Sequence, residues 1–492
     1  MSRDRLSAWL AACEKLLGAD SIHAPVGLEP GDGATNVSLF RSRCAPATVR
    51  PMTTAQVRHM LRTLSEEVPG VSVYPLSTGR NWGLGSAEPV DDGAVVLDLS
   101  RMDRIRSLDV GLGLAVVEPG VTQGRLAHAL HGTPMMLNVT ASSAHTSVVG
   151  NAMDRGVGLR RQRCDDIIGL EVVLADGTEI QVGAWPDDDT PRAPYPHGLG
   201  PGLVPLFLQS NLGVVTAAVV KLLPRPEQTR MVTVRFAAED LEPAVDELRH
   251  LYTRGLAHGV LKIYSASAVG VYGGLRRSEY VAYICVDGVA SVVAAALAEV
   301  ERALGESGLF HDFRCLSPTD QGADVVEDVV LHALTGDPSR NDDMLRATFG
   351  VTAHEVDATS DQGWLFFLPM IPFTGRAVAQ ARSLLEKVKE ATGVDCGMTV
   401  NAITFDLIDL VVSIRFTRNF GEVEAAHRAL NLLYEWFPAQ GFVPYRVDID
   451  HMGLVPALRS HPGQSRLVEL LKTALDPQSL ISPGRYPAFP HH

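Results

Sequence analysis

Hydrophobic and polar positions along this chain predict two kinds of territory. Residues 4–17 alternate as an amphipathic helix with charges at both ends. In 49–63 a strand end runs into Thr53 and Thr54 as N-cap candidates, then a helix with Val57, Met60 and Leu61 inward. Short apolar runs at 71–75, 94–99 and 115–118 read as buried strands, and 123–131 as a helix. Strands at 168–174 and 178–182 flank Asp176-Gly177, a hairpin turn signal. Residues 206–213 lead to a last strand at 214–223, closed by Pro224 and Pro226. So many short strands with interspersed helices predict an α+β fold.

Beyond residue 227 the elements lengthen. Strands at 231–236, 261–265, 280–286, 364–370 and 410–416 alternate with amphipathic helices at 238–255, 289–306, 375–392 and 422–440. That order predicts an antiparallel sheet with helices on one face. A helix at 466–474 and a turn-rich stretch at 476–485 close the chain. The expected division is 1–226 (core about 42–226), 227–446, and a C-terminal segment 447–492 returning to the first domain.

Composition narrows the function classes. A chain of 492 residues, 46% hydrophobic and 20% charged, can bury two or three globular cores. A net charge of −14 argues against a nucleic-acid partner, and the run Arg160-Arg161-Gln162-Arg163 is too short to reverse that. Six scattered cysteines without a CxxC pair suit reduced thiols in a cytoplasm and argue against structural zinc or disulfides. No apolar run reaches membrane-spanning length, so no membrane partner is expected.

The candidate chemistry lies in two Gly/Ser-rich stretches. In 74–89, YPLSTGRNWGLGSAEP, the glycines Gly79, Gly83 and Gly85 let the backbone turn sharply and approach a ligand. Ser77, Thr78, Asn81 and Ser86 add donors beside the backbone N–H groups, as a pyrophosphate requires, although such a loop is often only a turn. Residues 138–158, NVTASSAHTSVVGNAMDRGVG, form a second stretch, too long for an idle loop. There is no GxGxxG after a first strand, no GxSxG, no HExxH and no Walker loop, so 77–86 and 147–158 are the places for a large cofactor.

In order along the chain, TGRNWGLGSAEP, VVLDLSRMDRI, VVEPGVTQGRL, SVVGNAMDRGVG, LEVVLADG, LFLQSNLGVVT, PYRVDIDHM and LKTALDPQSLISPGRY resemble segments of the vanillyl-alcohol oxidase/p-cresol methylhydroxylase flavoproteins. The resemblance runs from about residue 45 to the end, with little to match in roughly 227–360. It implies an FAD-binding domain of two α+β subdomains and a cap domain whose sheet roofs the flavin. Its cradle would be Ser77, Thr78, Gly79, Arg80, Asn81, Trp82, Gly83, Leu84 and Ser86. Pro119, Gly120, Ser147, Gly150, Asn151, Asp154, Gly156, Gly158 and Arg485 would complete the site. The implied reaction is hydride removal from a substrate carbon to FAD, with oxygen or another acceptor taking the electrons. A homodimer is admitted.

The departures from the family matter as much. Where covalent members place His or Tyr before an LFFSP-type strand, this chain has Trp364 before Leu365-Phe366-Phe367-Leu368-Pro369, so non-covalent FAD is expected. Trp364 is then either a wall over the flavin or plain core. Of the phenol clamp, Tyr445-Arg446 is kept, while Leu84 and Leu159 replace tyrosines. Arg446 would stabilise developing negative charge; its bland alternative is a salt bridge to Asp448 or Asp450. The acidic base of the oxidase branch falls at Ser142, leaving His145 as a candidate for proton transfer or as a hydrogen-bonding filler. Asp406 is read on a cap strand, sharing a face with Thr404, where it would bind a cation or hold a base, or simply face solvent. The expected function is an FAD-dependent oxidase acting on an alcohol, amine or para-substituted phenol carbon. Its rivals are a dehydrogenase with another acceptor and a degenerate flavoprotein with a binding role.

Overall fold

Four short strands open the fold of the protein, here a computed structural model that describes residues 2–23, 36–80, 82–186 and 193–487. Thr48–Val49 and Val73–Leu76 run parallel to Val95–Asp98, and Ile22–His23 pairs antiparallel with Thr48–Val49. Helix Thr54–Glu67 is capped by the Thr53 hydroxyl, which accepts from the Gln56 amide, and it buries Val57, Met60, Leu61 and Leu64. The N-terminal helix Ser2–Leu17 adds Trp9 and Cys13 to the same core.

A five-stranded antiparallel sheet follows, in the order Ile105–Asp109, Leu114–Val117, Val214–Lys221, Ile167–Val173, Glu179–Gly183. The Asp-Gly turn is where it was expected, with Gly177 at φ +80°. Strand Ile105–Asp109 escapes the sequence reading because only half of it is covered and its polar residues break the apolar run. The long loop 138–158 also holds a short helix, Val148–Met153, started by Ser147.

The cap is an eight-stranded, wholly antiparallel sheet. Its order is His311–Leu316, Gln228–Phe236, Tyr280–Gly288, His258–Tyr264, Gly397–Ala402, Leu407–Thr417, Gln362–Pro372, Pro444–Arg446. Val232, Val234, Ala282 and Ile284 point into one core with the helices Leu241–Thr253, Ala290–Ser307, Gly375–Thr392 and Phe420–Trp436. Met231, Val281, Tyr283 and Cys285 point the other way, into a core shared with the five-stranded sheet. Burial on both faces explains why these strands read as continuous apolar runs and not as alternation.

The C-terminal helix Pro462–Leu475 leads back to the first sheet. There the Val73 amide donates to the Leu480 carbonyl at 2.7 Å, and the Ser482 amide to the Val73 carbonyl at 2.8 Å. This return brings Arg485 and Tyr486 beside the glycine-rich loop.

Candidate active site

One cavity lies within the first domain. Its wall includes Tyr74 to Arg80 and Ser86, then Pro119, Thr146, Ser147, Gly150, Asn151 and Asp154, and finally Ser482, Arg485 and Tyr486. Close approach is enforced by glycine: a Cβ on Gly150 would stand 2.2 Å from Ser77 Oγ. Loop 77–86 turns through Gly79 at φ +67° and Gly83 at φ +88°. The buried Asn151 Oδ1 and Arg485 Nη1 have no hydrogen-bond partner among the described residues, and both residues line this cavity. Polar atoms stranded in a glycine-lined hollow are completed by a large polar ligand. FAD fits that pair, since its phosphate and ring oxygens accept from a donor such as Arg485 Nη1 and its N–H groups donate to an acceptor such as Asn151 Oδ1.

Asp154 ties this cavity to the next. Its carboxylate accepts from Arg446 Nη2 at 2.6 Å and Nε at 3.1 Å, from Arg485 Nη2 at 3.3 Å and from the Tyr486 hydroxyl at 2.8 Å. Burial alone would raise this carboxyl, yet Arg446 and Arg485 hold it below the usual range. One carboxylate between two buried guanidiniums leaves a net positive charge at the junction.

The second cavity lies between the cap sheet and the first domain, sharing Arg80 and Asn151 with the first. Trp82, Leu84, Leu159, Tyr264, Tyr272, Trp364 and Phe366 give it an aromatic and apolar wall, with Ser142 a polar residue among them. Lys262, Asn401, Asp409, Tyr445 and Arg446 supply its polar groups. Burial pushes the Lys262 ammonium down to about 8 against the pull of Asp409. Burial likewise pushes Asp409 up to about 6, against the Asn401 hydrogen bond and the charges of Lys262 and Arg446. The Tyr445 hydroxyl is raised well above its ordinary value by the same burial.

The residues predicted from sequence fall into three groups. Ser77, Thr78, Gly79, Arg80, Ser86, Pro119, Ser147, Gly150, Asn151, Asp154 and Arg485 meet at the first cavity, although the Ser147 hydroxyl is committed to the Gly150 amide and the Pro119 carbonyl. Trp82, Leu84, Tyr445 and Arg446 line the second. Gly83, Gly120, Gly156 and Gly158 line neither; a Cβ there would strike Phe366, the Ser100 carbonyl, Asn151 and Asn138 respectively, so they shape the walls from behind. Asn81 lies outside the described residues.

Two candidates stand elsewhere. His145 has a half-exposed side chain beside His354 and Asp342 and lines neither cavity. Asp406 is exposed in the turn between Gly397–Ala402 and Leu407–Thr417, taking a 2.7 Å hydrogen bond from Thr404. The strand was expected to run through 404–406, but the chain reverses there, and Asp409 is the carboxylate that enters the cavity. Arg446 pairs with Asp154 and with neither Asp448 nor Asp450. Lys262, Tyr264, Tyr272, Asn401 and Asp409 were missed. The legible signal was a lone charge inside an apolar strand, at Lys262 in VLKIY and Asp409 in LIDLVV.

Among the described residues no cluster of His, Cys, Asp or Glu could hold a metal ion, and no helix is long and apolar enough to cross a membrane.

Comparison with known proteins agrees with this architecture. Residues 45–183 match an FAD binding domain. The chain is 30% identical to 1'-carboxy-chondrochloren decarboxylase of Chondromyces crocatus, over 99% of this chain and 98% of the relative. It is 27% identical to the 4-cresol dehydrogenase [hydroxylating] flavoprotein subunit of Pseudomonas putida, over 89% and 87%. Its fold superposes on p-cresol methylhydroxylase with a TM-score of 0.85 at 24% identity, covering 99% and 97% of the chains. For 4-ethylphenol oxidase of Gulosibacter chungangensis the TM-score is 0.84 at 20% identity, covering 99% and 98%. The protein is an FAD-dependent oxidoreductase that belongs to the vanillyl-alcohol oxidase/p-cresol methylhydroxylase flavoprotein family.

Proposed function

We propose that the protein oxidises a C–H bond of an aromatic small molecule held in the cap cavity, with FAD bound non-covalently in the neighbouring one. The observation that carries this reading is Arg446, a buried guanidinium that reaches the cap cavity while Asp154 of the cofactor cavity holds it in place. FAD, when bound, supplies the two-electron acceptor. The chain supplies the setting. Tyr264, Tyr272, Trp364 and Phe366 seat an aromatic ring and exclude water. Arg446 and the Tyr445 hydroxyl face an oxygen of the substrate and stabilise negative charge as it develops there.

A carbon bearing OH or NH, or one para to a phenol, suits that arrangement. The 4-cresol and 4-ethylphenol specificities in the relatives' names support an aromatic substrate. Trp364, whose indole is not expected to bond to a flavin, supports non-covalent attachment. Oxygen is the proposed acceptor, in a cytoplasm that keeps the six cysteines reduced. Retention of Tyr445-Arg446 speaks against a degenerate flavoprotein. A second reading, oxidation accompanied by loss of CO2, is favoured by full-length similarity to a protein named a decarboxylase.

The test is anaerobic mixing of the FAD-loaded protein with para-substituted phenols, benzylic alcohols and aromatic acids. Flavin bleaching by one of these, lost in Arg446→Ala, is expected. A flavin that dithionite reduces but none of these compounds bleaches would count against the reading. Release of CO2 during bleaching would select the second reading.

A further inference from the structure

Three strands of the cap sheet carry one polar row through apolar surroundings. Lys262 pairs directly with Asn401, and Asn401 with Asp409, so the register sets all three on one face, at the cavity. Lys262 Nζ donates to Asn401 Oδ1, and Asn401 Nδ2 donates to Asp409 Oδ2 at 3.1 Å. Lys262 is only 7% exposed. An ammonium carries three donors; among the described residues Asn401 is the one acceptor found for them. The ammonium lies over the Tyr264 ring on its own strand, and the other titratable or charged groups lining the cavity are Asp409, Arg80, Tyr272, Tyr445 and Arg446.

The charges alternate along this wall. Lys262 (+) is followed by Asp409 (−), Arg446 (+), Asp154 (−) and Arg485 (+), linked in that order by their electrostatic influence and by the Asp154 ion pairs. On the cap cavity itself Arg80, Lys262 and Arg446 face the single carboxylate of Asp409, with Asp154 and Arg485 lying in the neighbouring cavity. Asp409 does not close on Lys262, because the Asn401 amide stands between them. A buried ammonium with donors to spare is costly unless a ligand completes it.

We infer that the substrate carries an acidic group, a carboxylate in the first instance, which seats on Lys262 Nζ. The inference rests on reading this cavity as the substrate site and adds the charge of what enters it. A carboxylate accepts the spare ammonium protons, which no residue described around Lys262 takes up. A cationic substrate would meet two cations, Lys262 and Arg446, against the one carboxylate of Asp409, whose Oδ1 is an unpartnered acceptor among the described residues on this wall.

The test is calorimetric titration of the FAD-loaded protein with benzoate and with its neutral isostere benzamide. At pH 7 benzoate is expected to bind at least about tenfold more tightly, as a charge-assisted hydrogen bond provides. The preference should fade above pH about 8, where Lys262 loses its proton, and vanish in Lys262→Met. Equal affinities, a preference for benzamide, no binding of either, or a preference that survives Lys262→Met would each overturn the inference. Should Lys262→Met not fold, the wild-type pair and its pH profile decide alone. Flavin bleaching by a neutral benzylic alcohol without any benzoate preference would sink this inference and leave the proposed function standing. Lys262-dependent benzoate binding to a flavin that no substrate reduces would do the reverse.

Discussion

The two cavities meet at Arg80 and Asn151 but are built in opposite ways. The cofactor cavity is chiefly a backbone site, made where Gly79 and Gly150 let neighbouring segments approach and Ser and Thr hydroxyls tie them together. The cap cavity is a side-chain site. Lys262, Asn401, Asp409 and Arg446 reach it from four different strands, and only the sheet's register makes them neighbours. The lesson is a division of labour. In the proposed reading local glycine geometry fixes the cofactor, while cross-strand register fixes what the cofactor meets, so the second can change without the first.

The largest expected effect comes from breaking the backbone site. Gly150→Val places a branched side chain where even a Cβ lies 2.2 Å from Ser77 Oγ. FAD affinity should fall by about 100-fold or more, the equivalent of overpacking costing a few kcal/mol. Reconstitution of apoprotein followed by flavin fluorescence checks this.

Breaking the side-chain site should do something different. Arg446→Ala should retain FAD yet lose about 10²- to 10³-fold in kcat, the scale for removing one donor to developing charge. Asp154 keeps Arg485 and Tyr486 as partners in that variant.

A smaller effect is read by pH. Asp409 titrates at about 6 in the fold, above its ordinary 3.8. The folded state therefore binds more protons between those values, and its contribution is full below pH 3.8 and lost as pH rises through 6. The loss amounts to about 3 kcal/mol at most. Urea midpoints of wild type should fall across that window relative to Asp409→Asn; parallel profiles would refute the assignment. Smallest of all, His145→Ala and Asp406→Asn should each change kcat less than about twofold and stability by about 0.5 kcal/mol or less, as surface substitutions do.

The same contrast explains what the sequence made legible. The glycine loop and the 147–154 segment could be singled out because each is a short local signal, and Arg485 through the family resemblance of its segment; the structure brings them around one cavity. The cap sheet was foreseen as antiparallel with helices on one face, but its register was not. Short strands such as Pro444–Arg446, and exposed ones such as His311–Leu316, leave almost no apolar pattern. Asp406 was singled out and Asp409 missed because period-2 alternation says nothing about where a hairpin turns. The stretch 227–360, where family likeness was weakest, supplies Lys262, Tyr264, Tyr272, Met344 and Leu345 to the cap cavity.

The central claim, that one cavity holds the cofactor and the other does the chemistry, is tested most directly by the visible spectrum after acid precipitation. Wild type, Gly150→Val and Arg446→Ala should be purified and precipitated in parallel. The account predicts FAD in the yellow supernatant of wild type and Arg446→Ala, and almost none from Gly150→Val. Loss of FAD from Arg446→Ala to the same extent as from Gly150→Val would contradict it, and colour held in the wild-type pellet would contradict the non-covalent attachment.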